Sequence, residues 1–207
     1  MHRGIIGLTG GMGSGKSSVA AYLCEIHYAK LIDADLVARQ LLEPQEKGWT
    51  ALREAFGDKY LQADQSIDRK KLRREIFCNK ELRDQVNLLL HPLVRAEVAK
   101  RIEKEIAADA SCRVVVEVPL LYEAHWEEDF VAVIVVYADM AHCLERLMKR
   151  DQISREEAEC AMCAQWPLDD KVLRADHVIN NNGAWEDTCL EIRHLGILLW
   201  KDESEEK

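Results

Sequence analysis

The sequence has no apolar run that approaches the ~20 residues a membrane-spanning helix needs. Its first residues, Met1–Gly4, also lead into the chain without the apolar core of a secretory signal. Both absences predict a cytoplasmic protein without a membrane partner. Positive charge is scarce too, because 28 Lys and Arg face 37 Asp and Glu, for a net charge of −9. We therefore expect no nucleic-acid partner, although a local loop of backbone N–H groups can still bind an anion.

The sequence also lacks the even set of cysteines that a disulfide framework needs. Seven cysteines are scattered along the chain, an odd number that does not suit a disulfide framework. The one close pair, Cys160-x-x-Cys163, has no second Cys/His pair at zinc-finger spacing. We therefore expect free thiols in a reducing compartment rather than a metal or redox site.

Short apolar runs predict five strands, with helical patterns between them. The runs are Ile5–Leu8, Lys30–Asp33, Val114–Val116, Val131–Val136 and Asp176–Ile179. Val114–Val116 and Val131–Val136 are continuous and β-branched, which is typical of strands that helices cover on both faces. Strands alternating with helices favour a parallel sheet. The predicted fold class is therefore α/β, with a parallel five-stranded sheet flanked by helices.

Residues 36–110 are mainly helical in pattern and too long for a simple crossover between two strands. We expect an inserted helical subdomain in this block. Within it, Pro92 interrupts a helical run of apolar residues. Because proline lacks the N–H that an interior helix turn needs, a break or kink is predicted near His91.

The segment Gly10–Ser17 fits the phosphate-binding pattern G-x-x-x-x-G-K-[ST], between a predicted strand and a predicted helix. Its glycines let the backbone N–H groups turn toward phosphate oxygens, and the helix N-terminus attracts the anion. Lys16 is predicted to reach the β- and γ-phosphates of ATP, and the Ser17 hydroxyl to bind Mg²⁺. A dinucleotide fold fits less well, because it gives Lys16 and Ser17 no role. The predicted ATP-binding residues are Gly11, Met12, Gly13, Ser14, Gly15, Lys16, Ser17 and Ser18.

The motifs of a GTPase switch are absent from the sequence. No glycine has Asp three residues before it, so the Asp-x-x-Gly motif for the γ-phosphate is missing. The segment Asn79–Leu82 begins like the guanine motif Asn-Lys-x-Asp but ends in leucine. A GTPase is therefore disfavoured, and kinase and ATPase remain open.

Carboxylates follow two of the predicted strands. Asp33 and Asp35 end the second strand, at the sheet edge where ligands of open α/β sheets bind. We predict that Asp33 accepts the proton of an attacking hydroxyl, and the alternative role of helix N-cap suits Asp35. Glu117 follows the third strand, where phosphate-loop proteins place a carboxylate that helps to hold Mg²⁺. A purely structural role for Glu117 is the open alternative.

Taken together, these segments resemble the dephospho-coenzyme A kinase family along nearly the whole chain. The phosphate loop and Asp33–Asp35 are shared with other small kinases, so they discriminate little. Leu90–Leu93, with its His-Pro pair, and Val116–Glu123, with Val-Pro-Leu-Leu, are the discriminating pieces. Further matches lie at Ile67–Arg69, Ala164–Gln165 and Ala175–Asn180.

The resemblance implies a P-loop NTPase fold in three parts. These are a core (about 1–35, 111–138 and 166–202), a helical substrate-binding subdomain (about 36–110) and a helical lid (about 139–165). It also implies ATP-dependent phosphorylation of the ribose 3′-hydroxyl of dephospho-coenzyme A, which is the final step of coenzyme A biosynthesis.

The resemblance further implies roles for single residues. The family's base position falls on Asp33, and Asp33, Asp35, His91 and Pro92 fall in substrate-binding positions. His91 has the alternative role of a helix-boundary residue before proline. The Asn-rich turn 180–183 falls where the family holds adenine through backbone groups, and a plain strand-to-helix connection explains it equally well.

The predicted lid carries Arg146 and Arg150, four residues apart on one helix face. An arginine there can stabilise charge on the transferring phosphoryl group, so Arg146 joins Asp33 and Lys16 as a predicted catalytic residue. A solvated basic face is the alternative for either arginine. Many family members have arginine where this chain has Ala161, which puts a contribution from the second lid helix in doubt.

Two competing functions remain open from the sequence. Another phosphate-loop metabolite kinase, of the shikimate or gluconate type, shares the loop but lacks the segments around His91 and Val118–Leu121. A nucleotide-switched binding protein is disfavoured by the missing GTPase motifs. The predicted small-molecule partner is dephospho-coenzyme A, and the predicted assembly is a monomer or a weak homo-oligomer.

Overall fold

The computed structural model describes residues 4–200 of the chain. The chain divides into two compact units, Met1–Leu31 with Glu105–Lys207, and Ile32–Lys104. The described helices in chain order are α1 (Lys16–His27), α2 (Ala34–Leu41), α3 (Lys47–Phe56), α4 (Arg69–Cys78), α5 (Lys80–Ala108), α6 (Met140–Asp151), α7 (Arg155–Met162), α8 (Leu168–Val172) and α9 (Trp185–Leu199). Short 3₁₀ turns lie at Gly57–Tyr60 and Glu127–Asp129.

Within residues 4–200, five strands form one sheet. They are β1 (Ile5–Gly10), β2 (Lys30–Asp33), β3 (Val114–Glu117), β4 (Ala132–Tyr137) and β5 (His177–Asn180). Their order across the sheet is β2–β3–β1–β4–β5, so β1 is central. β1 pairs in parallel with β3 and β4, and β4 with β5. The predicted parallel α/β sheet is thereby confirmed.

The core of the first unit forms where helices pack on the central strands. Val114, Val115 and Val116 are fully buried, as expected for a strand covered on both faces. Val19 and Leu23 of α1 and Ile192 of α9 are buried in the same cluster as the apolar side chains of β1 and β4. This packing fixes the carboxyl ends of β1 and β3 at one sheet edge, and the N-terminus of α1 with them.

The second unit has its own apolar core among α3, α4 and α5. The buried side chains are Trp49, Leu52, Tyr60, Ile67, Leu72, Leu82 and Val86. The Trp49 indole N–H donates to the Gln65 carbonyl at 2.7 Å, so its polar atom is satisfied inside the cluster. Residues 36–110 therefore pack around a core of their own and do not form a simple helical crossover between two strands.

A break or kink was predicted near His91, and the break is wrong, because α5 runs without interruption from Lys80 to Ala108. Proline removes the hydrogen bond to the carbonyl four residues earlier, which belongs to Leu88. The Leu88 side chain is 78% exposed, so this carbonyl lies on the solvent side, where water can replace the lost donor. Val86 and Val94, on either side of the proline, are buried and hold the two halves of the helix in place.

No helix within residues 4–200 combines the length and the apolar character that crossing a membrane requires.

Candidate functional site

The segment between β1 and α1 is a glycine-dependent loop. Gly13 has φ 77° and Gly15 has φ 90°, both in the left-handed region that glycine alone occupies without strain. A Cβ on Gly13 would collide with the Cys143 carbonyl, and one on Gly15 with the Asn181 side-chain amide. The glycine pattern therefore reflects both backbone conformation and close neighbours. Because α1 begins at Lys16, the Lys16 and Ser17 N–H groups precede the first helical hydrogen bonds, which Ser18 and Val19 donate to the Gly15 carbonyl.

Two side chains of the first turn of α1 hold polar contacts that suit phosphate chemistry. The Lys16 ammonium is buried and donates to the Gly11 carbonyl at 2.9 Å, so the lysine lies along the loop. The Ser17 hydroxyl donates to Glu117 Oε1 at 2.8 Å. Glu117 ends β3 and is only 5% exposed. The structure therefore brings together Ser17 and Glu117, which sequence reasoning had predicted separately as metal ligands.

The Ser17–Glu117 pair fits a small divalent cation. It offers a hydroxyl and a carboxylate, the hard oxygen ligands that Mg²⁺ prefers. Protein sites for Mg²⁺ commonly contribute only one or two such ligands, and substrate phosphates and water supply the others. Among residues 4–200 there is no group of three or more His, Cys, Asp or Glu side chains that could hold a metal. A cation at this loop would thus depend on phosphate oxygens as well as on the protein.

Arg146 on α6 reaches the phosphate loop. One terminal nitrogen donates to the Asn181 carbonyl at 3.0 Å. The other, Nη1, is buried without a hydrogen-bond partner in the described part of the chain, and it lies 4.0 Å from the position of a Cβ on Gly15. The Ser14 hydroxyl in the loop is likewise buried and unpartnered. Two unsatisfied donors beside one glycine loop are the arrangement that an anion would complete.

The other predicted lid residues have different surroundings. Arg150 is exposed and pairs with the neighbouring Asp151 at 2.8 Å. Ala161 is buried in α7, at a site where an arginine would have to leave the helix packing. Helix α7 begins with a capping box, in which Ser154 and Glu157 each accept from the other's backbone N–H. Of the two arginines of α6, Arg146 is the one that the structure places at the loop.

Two side chains that support the loop were missed by sequence reasoning. Gln165 accepts from the Met12 N–H at 3.2 Å. Asn181 donates from Nδ2 to the Ser14 carbonyl at 2.8 Å and is almost fully buried. Gln165 belongs to a segment that resembles the family, and Asn181 to the Asn-rich turn, but nothing in their spacing indicated a contact with the loop.

An ion pair between the buried Lys171 and the partly buried Glu123 supports the segment that follows β3. Lys171 Nζ is 2.8 Å from Glu123 Oε1 and donates to the Pro119 carbonyl at 3.1 Å. The Glu123 carboxylate also accepts from the Trp166 N–H at 2.9 Å. Burial lowers the pKa of Lys171, and the Glu123 charge opposes that shift. These contacts fix the Pro119–Glu123 segment, which was identified only as a family signature, against α8.

The second unit contains the other predicted site residues. Asp33 is the N-cap of α2, and its Oδ1 accepts from the Leu36 N–H at 3.0 Å. The assignment of the cap to Asp35 is therefore wrong, because the helix begins at Ala34 and Asp35 falls in its first turn. The backbone thus does not stay extended as far as Asp35. His91 and Pro92 lie inside α5 rather than at a helix boundary.

The sequence matches a known family over most of its length. The profile of the dephospho-CoA kinase family (CoaE) matches residues 4–187. A dephospho-CoA kinase from Oceanobacillus iheyensis is 42% identical over 191 residues, which is 92% of this chain and 95% of that protein.

Solved structures agree with the fold. A dephospho-CoA kinase from Campylobacter jejuni superimposes with a TM-score of 0.61 at 26% identity, covering 96% of this chain and 98% of that one. A shikimate kinase from Acinetobacter baumannii has a TM-score of 0.54 at 17% identity, covering 95% and 92% of the two chains. The second likeness concerns the fold alone, so it gives no support to a shikimate-type activity.

Proposed function

Because this chain belongs to the dephospho-CoA kinase family, we propose that it transfers the γ-phosphoryl group of ATP to the ribose 3′-hydroxyl of dephospho-coenzyme A. The products are coenzyme A and ADP. The observation that carries the proposal is the loop Gly10–Ser17, with the unsatisfied Arg146 Nη1 beside Gly15. The acceptor follows from the family.

In the proposed reaction, the residues of the loop bind and orient the triphosphate. Backbone N–H groups and the Lys16 ammonium hold phosphate oxygens, and Arg146 stabilises the charge that develops on the transferring group. Ser17 and Glu117 would hold Mg²⁺, which when bound offsets the negative charge of the phosphates. Gln165 and Asn181 keep the loop in place through Met12 and Ser14.

Asp33 is the proposed base that accepts the proton of the ribose 3′-hydroxyl. Its helix cap uses Oδ1, and a carboxylate has a second oxygen that can accept the substrate proton. As the 3′-oxygen attacks the γ-phosphorus, the bond to the β–γ bridging oxygen breaks and ADP leaves. Asp35, His91 and Pro92 are proposed to bind the acceptor.

The test measures phosphoryl transfer with dephospho-coenzyme A, shikimate and gluconate as alternative acceptors, and then with Asp33→Asn. Asparagine is an equally good N-cap, so this variant keeps the start of α2 while losing the base. We expect Asp33→Asn to lower kcat by about 100-fold or more at an unchanged Kd for ATP.

Asp35→Asn is the matched control, because it removes a carboxylate from the first turn of the same helix. It should alter the KM for dephospho-coenzyme A more than kcat. Turnover of shikimate or gluconate in place of dephospho-coenzyme A would refute the proposed acceptor. Near-normal kcat in Asp33→Asn would remove Asp33 from the base role and leave the acceptor assignment intact.

The proposal extends to location and assembly. We infer a reducing compartment such as the cytoplasm, because six of the cysteines, Cys24, Cys78, Cys112, Cys143, Cys163 and Cys189, are free thiols in the described residues. The proposed working unit is a monomer or a weak homo-oligomer with ATP and dephospho-coenzyme A as its small-molecule partners.

A further inference from the structure

Asn181 contacts two parts of the phosphate site at once. Its side-chain nitrogen donates to the Ser14 carbonyl at 2.8 Å, inside the loop. Its backbone carbonyl accepts from the Arg146 guanidinium at 3.0 Å. A single buried residue after β5 is therefore bonded both to the loop and to the arginine on α6.

Thr188 in the first turns of α9 sets the orientation of the Asn181 amide. The Thr188 hydroxyl lies 3.2 Å from Asn181 Oδ1 and is itself buried. Because the Ser14 carbonyl can only accept a hydrogen bond, the amide nitrogen must face it and the amide oxygen must face Thr188. The single hydroxyl proton is shared with the Asn180 carbonyl, also 3.2 Å away, so Thr188 ties the turn to α9 as well.

The Asn181 amide also occupies the space beside Gly15. A Cβ on Gly15 would collide with Asn181 Nδ2, and Arg146 Nη1 lies 4.0 Å from the same Cβ position. The Asn181 amide and the Arg146 guanidinium thus both lie against Gly15. A displacement of Asn181 would free the Ser14 peptide and move the carbonyl that aligns Arg146.

We propose that Asn181 is a positioning residue that locks the phosphate loop and the Arg146 guanidinium into one arrangement, with Thr188 orienting its amide. The loop is then preorganised for the nucleotide, so binding does not include the free-energy cost of ordering the loop. This inference rests on the proposed phosphoryl transfer and deepens it, because it adds two residues that touch neither phosphate nor acceptor in the proposed reaction.

The first test measures the Kd for ATP by titration calorimetry, without acceptor. Asn181→Ala should raise this Kd about tenfold, the equivalent of one lost hydrogen bond. Thr188→Val keeps the shape of the side chain but removes the hydroxyl, and should raise the Kd about fivefold. Thr188→Ser keeps the hydroxyl and should stay within about twofold of the wild type.

A merely structural role gives a different result. It would lower Tm in Thr188→Val and Thr188→Ser without separating them in nucleotide affinity. A Kd for ATP in folded Asn181→Ala within about twofold of the wild-type value would overturn the proposal.

A double-mutant cycle with Arg146→Ala tests the coupling. Asn181→Ala keeps the carbonyl that Arg146 contacts but removes the side-chain bond that ties the turn to Ser14. The turn can then shift with its carbonyl, so this variant should lower kcat about tenfold in the wild-type background. In the Arg146→Ala background the same change should alter kcat by less than about twofold. Equal losses in both backgrounds would overturn the positioning role. If the wild type does not phosphorylate dephospho-coenzyme A, the proposed function fails, whereas the Kd comparison still decides the role of Asn181.

Discussion

Replacing Lys171 with methionine removes the buried ammonium of an ion pair and keeps most of the length of the side chain. Lys171 is 0% exposed, and its ammonium contacts Glu123 at 2.8 Å and the Pro119 carbonyl at 3.1 Å. In Lys171→Met the Glu123 carboxylate keeps its charge and its bond from the Trp166 N–H, but loses its cation. Glu123 Oε2 already has no hydrogen-bond partner in the described part of the chain.

The expected loss is large because an unpaired buried charge costs more than the pair contributed. Removing one partner of a buried pair typically destabilises a protein by about 3–5 kcal/mol. For a chain of this size, such a loss corresponds to a fall in Tm of roughly 10 °C. The double variant Lys171→Met/Glu123→Gln should recover most of it, because glutamine keeps an acceptor for Trp166 and carries no charge.

The assay is urea unfolding followed by circular dichroism, with the wild type, both single variants and the double variant. A loss below about 1 kcal/mol in Lys171→Met would refute the idea that Glu123 depends on this ammonium. A double variant no more stable than Lys171→Met would show that packing, rather than the uncompensated charge, causes the loss.

The remaining predictions concern Tyr122 and the two arginines of α6. The Tyr122 hydroxyl is buried and unpartnered in the described structure, so Tyr122→Phe should raise the unfolding free energy by about 1 kcal/mol, and a loss of that size would contradict the assignment. Burial raises the pKa of Tyr122 from 10.0 to about 12, so at high pH the unfolded chain loses this proton first and the free energy of unfolding falls as pH rises through that range; urea titrations should show a smaller fall in Tyr122→Phe. Arg146→Ala should lower kcat about 100-fold in a steady-state assay, whereas Arg150→Ala should stay within about twofold, and equal losses would contradict the placement of Arg146 alone at the loop.

The middle of the sheet was predictable because β3 and β4 are almost continuously apolar. Val114–Val116 and most of Val131–Val136 are buried on both faces, so no polar alternation obscures them. By contrast, β2 and β5 contain exposed and polar residues, so their apolar signal is weaker. Boundaries were less predictable, since β4 begins at Ala132 and Val131 is exposed. The start of α2 was also hard to predict. Both Asp33 and Asp35 can cap a helix, and the local sequence does not decide between them.

The part of the site that lies at the carboxyl ends of the strands was predictable from the topology of a parallel sheet. Parallel strands align their carboxyl ends at one edge, so Glu117 at the end of β3 could be expected near a loop that follows β1. The hydrogen bond from Ser17 to Glu117 joins residues that are 100 positions apart in sequence. The alignment of the strand ends is what brings them together. Gln165 and Asn181 reach the same loop from connections whose conformation has no periodic signal, so their roles required the structure.

The glycines of the phosphate loop were predictable from the motif, but they contact residues that were not predictable from the sequence. Gly13 must lack a side chain because the Cys143 carbonyl of α6 lies against it, and Gly15 because the Asn181 amide does. The short motif is therefore constrained by distant elements as well as by the phosphates it binds. A substitution at Gly15 would displace Asn181 before it met any nucleotide, so its effect on ATP affinity should appear together with a loss of Arg146 alignment. The loop, the α6 arginine and the turn after β5 thus behave as one structural unit.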